Sequence, residues 1–156
     1  MTKKSKRKSS NRKSEKGQSY NPGQSSKHHI ISRTVGGPSV PENIYNCSIK
    51  WHHTWHQLFH NYLPSVIIRT IKSWMDEEGN LSKEKILEDI LKEERNSKKA
   101  EKKAEKIFRG WKRMFGKKSP QEVIDFIEKE FLPQEIKFLK GELGSEKEED
   151  DMPNGT

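Results

Sequence analysis

All six histidines of this 156-residue chain, His28, His29, His52, His53, His56 and His60, fall within one window of 33 residues, and none occurs elsewhere. A fold that gathers imidazoles must keep them neutral and give their lone pairs a task, because near pH 7 the ring is poised between base, metal ligand and cation. Cys47 is the only cysteine. That excludes an intramolecular disulfide framework and the paired Cys-x-x-Cys knuckles of a structural zinc ribbon, so any metal here must be held by His, Asp or Glu.

Around the histidines the hydrophobic period changes. HHIISR (residues 28–33) is a short apolar run, TVGGPSVPEN is rich in turn residues, and IYNCSI (residues 44–49) is a second β-prone run with alternation. Two short antiparallel strands joined by a Gly/Pro loop are expected. From Lys50 onward Trp51, Trp55, Leu58, Phe59 and Tyr62 recur at helical spacing and share one face. On that helix His52, His56 and His60, each one turn apart, form a stripe beside the apolar face, while His53 points toward solvent. Two neutral imidazoles one turn apart are a common way to hold a divalent metal. A third ligand has to come from elsewhere, and the His28-His29 pair on the first strand is the available source. On this reading His60 is able to stand in for His56.

Further along, Pro64 suits the first turn of a helix carrying Val66, Ile67, Ile68, Ile71, Trp74 and Met75, which Gly79 and Asn80 end. Ser82 is placed to cap a helix through Ile86, Leu87, Ile90 and Leu91. Residues 93–106 are almost wholly charged and read as an exposed helix or a weakly structured connector, after which Ile107, Phe108, Trp111, Met114 and Phe115 restore an apolar face. Ser119-Pro120-Gln121-Glu122 is a capping box with proline at the first helical position, leading into a helix carrying Val123, Ile124, Phe126, Ile127 and Phe131. Trp55, Phe59 and Pro64 are echoed at the same spacings by Trp111, Phe115 and Pro120, which suggests a repeated helix–turn–helix packing unit. The second copy contains no histidine, so any chemistry stays with the first.

His28-His29, then Asn43 fourteen residues after His29, then His52 and His56 nine and thirteen residues beyond the asparagine, follow an ordering that resembles the HNH endonuclease motif. The text between them, from HHIISRTVGGPSVPEN to HHTWH, is similar to that of small bacterial and phage HNH proteins. The resemblance covers residues 28–63 and implies a ββα-metal (His-Me finger) core, so the expected class is α+β, mostly helical, with additional C-terminal helices over residues 64–144. It implies His28, His52 and His56 as ligands of one divalent ion, His29 as the general base, and Asn43 as the residue that pins the loop. Many relatives carry an acidic residue at the position of His28. An all-imidazole set favours a transition metal such as Zn2+, Ni2+ or Mn2+ on ligand softness, whereas acidic-ligand relatives favour Mg2+. Arg33, just after the first strand, is a candidate phosphate clamp because a guanidinium can bind two phosphate oxygens at once.

Charge and composition set the partners. The net charge of +8 is the charge of residues 1–27 alone, where nine basic side chains face a single acid, Glu15; the other 129 residues carry 22 basic and 22 acidic groups. With Tyr20 as its only aromatic and no aliphatic residue after Met1, this basic tail is expected to be disordered and to be drawn to phosphate backbones without reading sequence. Residues 145–156, acidic and ending in Pro-Asn-Gly-Thr, are expected to be disordered too. No apolar run approaches the roughly 18 residues of a spanning helix and the first 27 residues hold no hydrophobic stretch, so an intracellular, cytoplasmic protein with no membrane partner and no small-molecule cofactor is expected. Three function classes follow. The first is a metal-dependent endonuclease acting on DNA. The second is a non-catalytic nucleic-acid-binding module stapled by a metal, and the third an RNA-processing or ribosome-associated factor.

Overall fold

The computed structural model describes residues 24–144. The basic stretch up to residue 23 and the acidic stretch from residue 145, expected to be disordered, fall outside the described residues. Between them the protein is α+β and mostly helical: a two-stranded antiparallel sheet, β1 (Ser25–His29) and β2 (Ile44–Ser48), is followed by six helices. These are α1 (Ile49–Phe59), α2 (Pro64–Ser73), α3 (Lys83–Leu91), α4 (Ser97–Phe115), α5 (Pro120–Glu130) and α6 (Leu132–Leu139). Among the described residues no helix is long and apolar enough to cross a membrane.

The first strand differs from expectation at both ends. It begins at Ser25, inside the segment expected to be disordered, because Ser25, Ser26 and Lys27 pair with Ser48, Cys47 and Asn46 through backbone bonds that need no apolar side chain. It stops at His29 rather than running through Arg33, because the ladder is taken over by a side chain: Ile30 N–H still donates to the Asn43 carbonyl at 2.9 Å, but Ile31 N–H donates to Asn43 Oδ1 at 2.8 Å. The loop then makes a short 3-10 turn, Arg33–Val35, which Ser32 caps and Gly36 ends at φ 96°. Gly37 donates to the Ser32 carbonyl at 2.9 Å. A methyl group there would lie 1.7 Å from the Ile31 carbonyl oxygen. Gly37→Ala is therefore expected to destabilise the protein by about 2–3 kcal/mol, the usual cost of overpacking against groups that cannot rotate away. Gly79→Ala, with φ 86° but nothing within 4 Å, serves as the control in urea unfolding and should cost less.

Helix starts follow the expected chemistry. Ser48 accepts from Trp51 N–H to open α1, Pro64 stands at the first position of α2, Ser82 accepts from Lys85 N–H, and the Ser119/Glu122 capping box is complete in both directions. The charged stretch after Glu93 is irregular up to the cap Asn96 and then helix, continuous through Phe115, which packs on α3 and α1 and buries Ala100 and Ala104. Two expected placements fail. Tyr62 lies beyond the end of α1 and is exposed rather than on its apolar face, and Met75 has left α2 to form a bridge with Leu81.

The sequence echo is realised as a reciprocal contact. α1 packs on α4 and α2 on α5. Trp55 meets Phe115 at 6.5 Å between ring centroids and Phe59 meets Trp111 at the same 6.5 Å, so each unit's tryptophan packs near the other's phenylalanine. Gly110 allows the close approach, since a Cβ there would lie 3.3 Å from Leu58. Trp55 and Phe59, essentially inaccessible, join Ile71, Ile86, Ile124, Ile127 and Phe131 in one core. That core anchors α1, and with it the histidines.

Candidate metal centre

Three imidazoles converge. His28 from β1 and His52 and His56 from α1 each offer one ligand atom, and these atoms all lie within 4.8 Å of one another, close enough to hold one ion. Ring centroids are 5.3 Å apart for His28–His52 and for His28–His56, and 4.8 Å for His52–His56. The pleat explains why one of two neighbouring histidines enters. His28, opposite Tyr45, faces α1 and is 4% exposed, while His29, opposite Ile44, points to the other face and is half-buried.

His28 also packs against Trp51 (5.6 Å) and Trp55 (5.7 Å) in edge geometry and against the tilted ring of Phe131 (6.0 Å). This apolar wall strips water from the ring and, with the nearby His56, His52 and His29, lowers its pKa to about 3. Burial, then His56, His53 and His29, lowers that of His52 as well. Both rings are neutral at pH 7, as ligation requires. His28 Nδ1 is buried with no hydrogen-bond partner. An orphaned polar atom on a ring packed against two further imidazoles marks a site suited to a cation.

The two helical histidines are held at Nδ1. Ser26 Oγ lies 2.8 Å from His52 Nδ1, and the His60 carbonyl oxygen lies 2.9 Å from His56 Nδ1. Neither partner is marked by the sequence pattern. Ser26 sits in a polar stretch without periodicity, and only the strand register, which places it beside Cys47, brings it over α1. His60 does not continue the stripe of His52 and His56. It caps α1 with φ 51°, its ring is exposed and faces Tyr62, and it is not among the three converging rings, so it does not stand in for His56.

His29 Nε2 lies 2.9 Å from Ser39 Oγ. If Nε2 donates to that hydroxyl, Nδ1 keeps its lone pair as a base. Burial and then the Arg33 guanidinium lower the His29 pKa, which keeps the ring unprotonated. Arg33 itself is exposed on the 3-10 turn beside it. Asn43 is fully buried: Oδ1 accepts from Ile31 N–H, and Nδ2 donates to the carbonyls of Ile31 (3.0 Å) and Pro38 (2.9 Å). It thus ties both ends of the Gly/Pro loop to the start of β2. Cys47 donates weakly to the Ser26 carbonyl, burial pushes its thiol up to about 11, and it is not among the three converging side chains. No protein-family model, curated protein or solved structure matches the chain.

Proposed function

We propose that this protein is a metal-dependent endonuclease of the HNH type that hydrolyses phosphodiester bonds in DNA. The observation that carries the reading is the meeting of His28, His52 and His56, from a hairpin and the helix behind it, with His29 next in the chain on the opposite face of the strand. The donor set, three imidazoles of which one carries a buried Nδ1 with no hydrogen-bond partner, fits a divalent cation, and fits Zn2+, Ni2+ or Mn2+ better than Mg2+. When bound, that cation supplies positive charge for a non-bridging phosphate oxygen and the departing 3′-oxygen.

The remaining work falls to side chains. His29, neutral and oriented by Ser39, takes the proton from the attacking water. Asn43 holds the loop that carries Ser39 against the strand that carries His29, so base and ligand keep a fixed separation. Arg33, exposed on the turn after β1, binds phosphate oxygens in this reading, and the basic residues before residue 28 add attraction for the polyanion that carries no sequence preference.

The test is nicking of supercoiled plasmid by chelator-stripped protein reloaded with Mg2+, Mn2+, Ni2+ or Zn2+, for wild type and His29→Ala. Metal-dependent cleavage that His29→Ala lowers on the order of a hundredfold or more is expected. Tight DNA binding with no cleavage under any of the four ions would select the metal-stapled binding module instead, and undiminished cleavage by His29→Ala would remove His29 as the base.

A further inference from the structure

His60 is the one non-glycine residue with positive φ among the described residues. Its conformation, φ 51° and ψ −134°, lies where a side chain is strained and glycine is at ease. The repeat provides an internal reference. At the matching place in the second unit, α4 ends on Gly116 with φ 59° and ψ −116°, and the two caps close in the same way, His60 N–H on the His56 carbonyl and Gly116 N–H on the Lys112 carbonyl, both at 2.9 Å. The same turn is therefore made twice, once by glycine and once by histidine. Only in the first unit does the resulting carbonyl meet an imidazole: His60 O lies 2.9 Å from His56 Nδ1.

A carbonyl oxygen can only accept, so this contact places the proton of His56 on Nδ1 and leaves the lone pair on Nε2. The contact to His52 does not decide its tautomer in this way, because the Ser26 hydroxyl can donate or accept. We propose that residue 60 is a positioning residue that acts through its main-chain carbonyl, the left-handed cap of α1 fixing the tautomer and ring orientation of His56 for ligation of a divalent cation through Nε2. The proposal rests on the metal-site reading above for its consequence, but not for the tautomer itself. The exposed imidazole of His60 has no part in it. Partners of this kind, one bond removed from the ion, are worth about 10- to 100-fold in metal affinity.

The variants are His60→Gly, which keeps the turn and discards the ring, and His60→Val, whose β-branched side chain resists positive φ. Two readouts are needed: the 15N chemical shifts of the His56 ring in metal-free protein, which report the tautomer, and Co2+ affinity followed by visible absorption. Wild type and His60→Gly are expected to show the same Nδ1–H tautomer and Co2+ affinities within about twofold, with a higher urea midpoint for His60→Gly because strain has been removed. In His60→Val the tautomer preference should be lost and Co2+ affinity should fall about 10- to 100-fold. An Nε2–H tautomer in the wild type, a tenfold loss of affinity in folded His60→Gly, or a folded His60→Val that keeps both properties would overturn the proposal. Should His60→Val fail to fold, the glycine variant and the wild-type tautomer still decide. Failure of wild type to bind Co2+ would count against the metal site and leave the tautomer result standing.

Discussion

Asn43→Ala is expected to lower the unfolding free energy by about 3–5 kcal/mol and to leave little folded protein if the wild type is of ordinary stability. Three main-chain groups depend on this one amide: the buried Ile31 N–H and Ile31 carbonyl and the part-buried Pro38 carbonyl. Each unmet group costs about 1–3 kcal/mol when water cannot replace the partner, and Asn43 has no exposed surface through which water enters. Asn43→Asp is the sharper variant. It restores the acceptor for Ile31 N–H, but it presents oxygen to two carbonyls and buries a charge, so it should be no better than alanine. Urea unfolding of the metal-free protein measures both. If either variant retained wild-type stability, the loop would be held by something other than Asn43, and the asparagine would have to be explained through chemistry instead.

The parts of this molecule that were legible in its sequence are those written in local chemistry. Ser82, Pro64 and the Ser119/Glu122 box announce helix starts because a cap acts within one turn. His52 and His56 share a face because four residues make about one turn, and His28 reaches them because a hairpin leads directly into α1. What was not legible depends on partners distant in sequence or on the backbone. α6 went unseen because its pattern is inverted: Ile136 and Leu139 face solvent while Glu135 is buried, its carboxylate accepting from Ser65 N–H and Ser65 Oγ at 2.7 Å each, 70 residues away at the start of α2. A remote carboxylate capping another helix leaves no periodic trace. His60 was misplaced for a related reason. Spacing extends a stripe indefinitely, whereas the helix ends where its cap turns left-handed, and histidine gives no warning of a conformation that Gly116 signals openly in the second unit.

In chelator, the protein is expected to lose stability as pH falls from about 6.5 toward 3, by an amount that reaches roughly 5 kcal/mol from His28 alone. The sign follows from where the proton goes. Burial among Trp51, Trp55 and Phe131 keeps the folded-state ring neutral down to about pH 3, whereas in the unfolded chain it takes up its proton near 6.5. Between those values the unfolded state binds more protons, so acid favours it. Above about 6.5 both states are neutral and the contribution is complete. His52 and His29, whose pKa values are also lowered, push in the same direction. Carboxylates titrate only toward the lower part of this window, so the histidine contribution is read between pH 6.5 and 4.5 by comparing urea midpoints of wild type and His28→Leu. Leucine fills much of the same space and removes the orphaned Nδ1, so at pH 7 the variant should lie within about 1 kcal/mol of wild type. At pH 4.5 it should be the more stable of the two by about 2–3 kcal/mol. Stability curves that run parallel over this range would mean that water reaches the His28 ring and that the aromatic wall does not close the site.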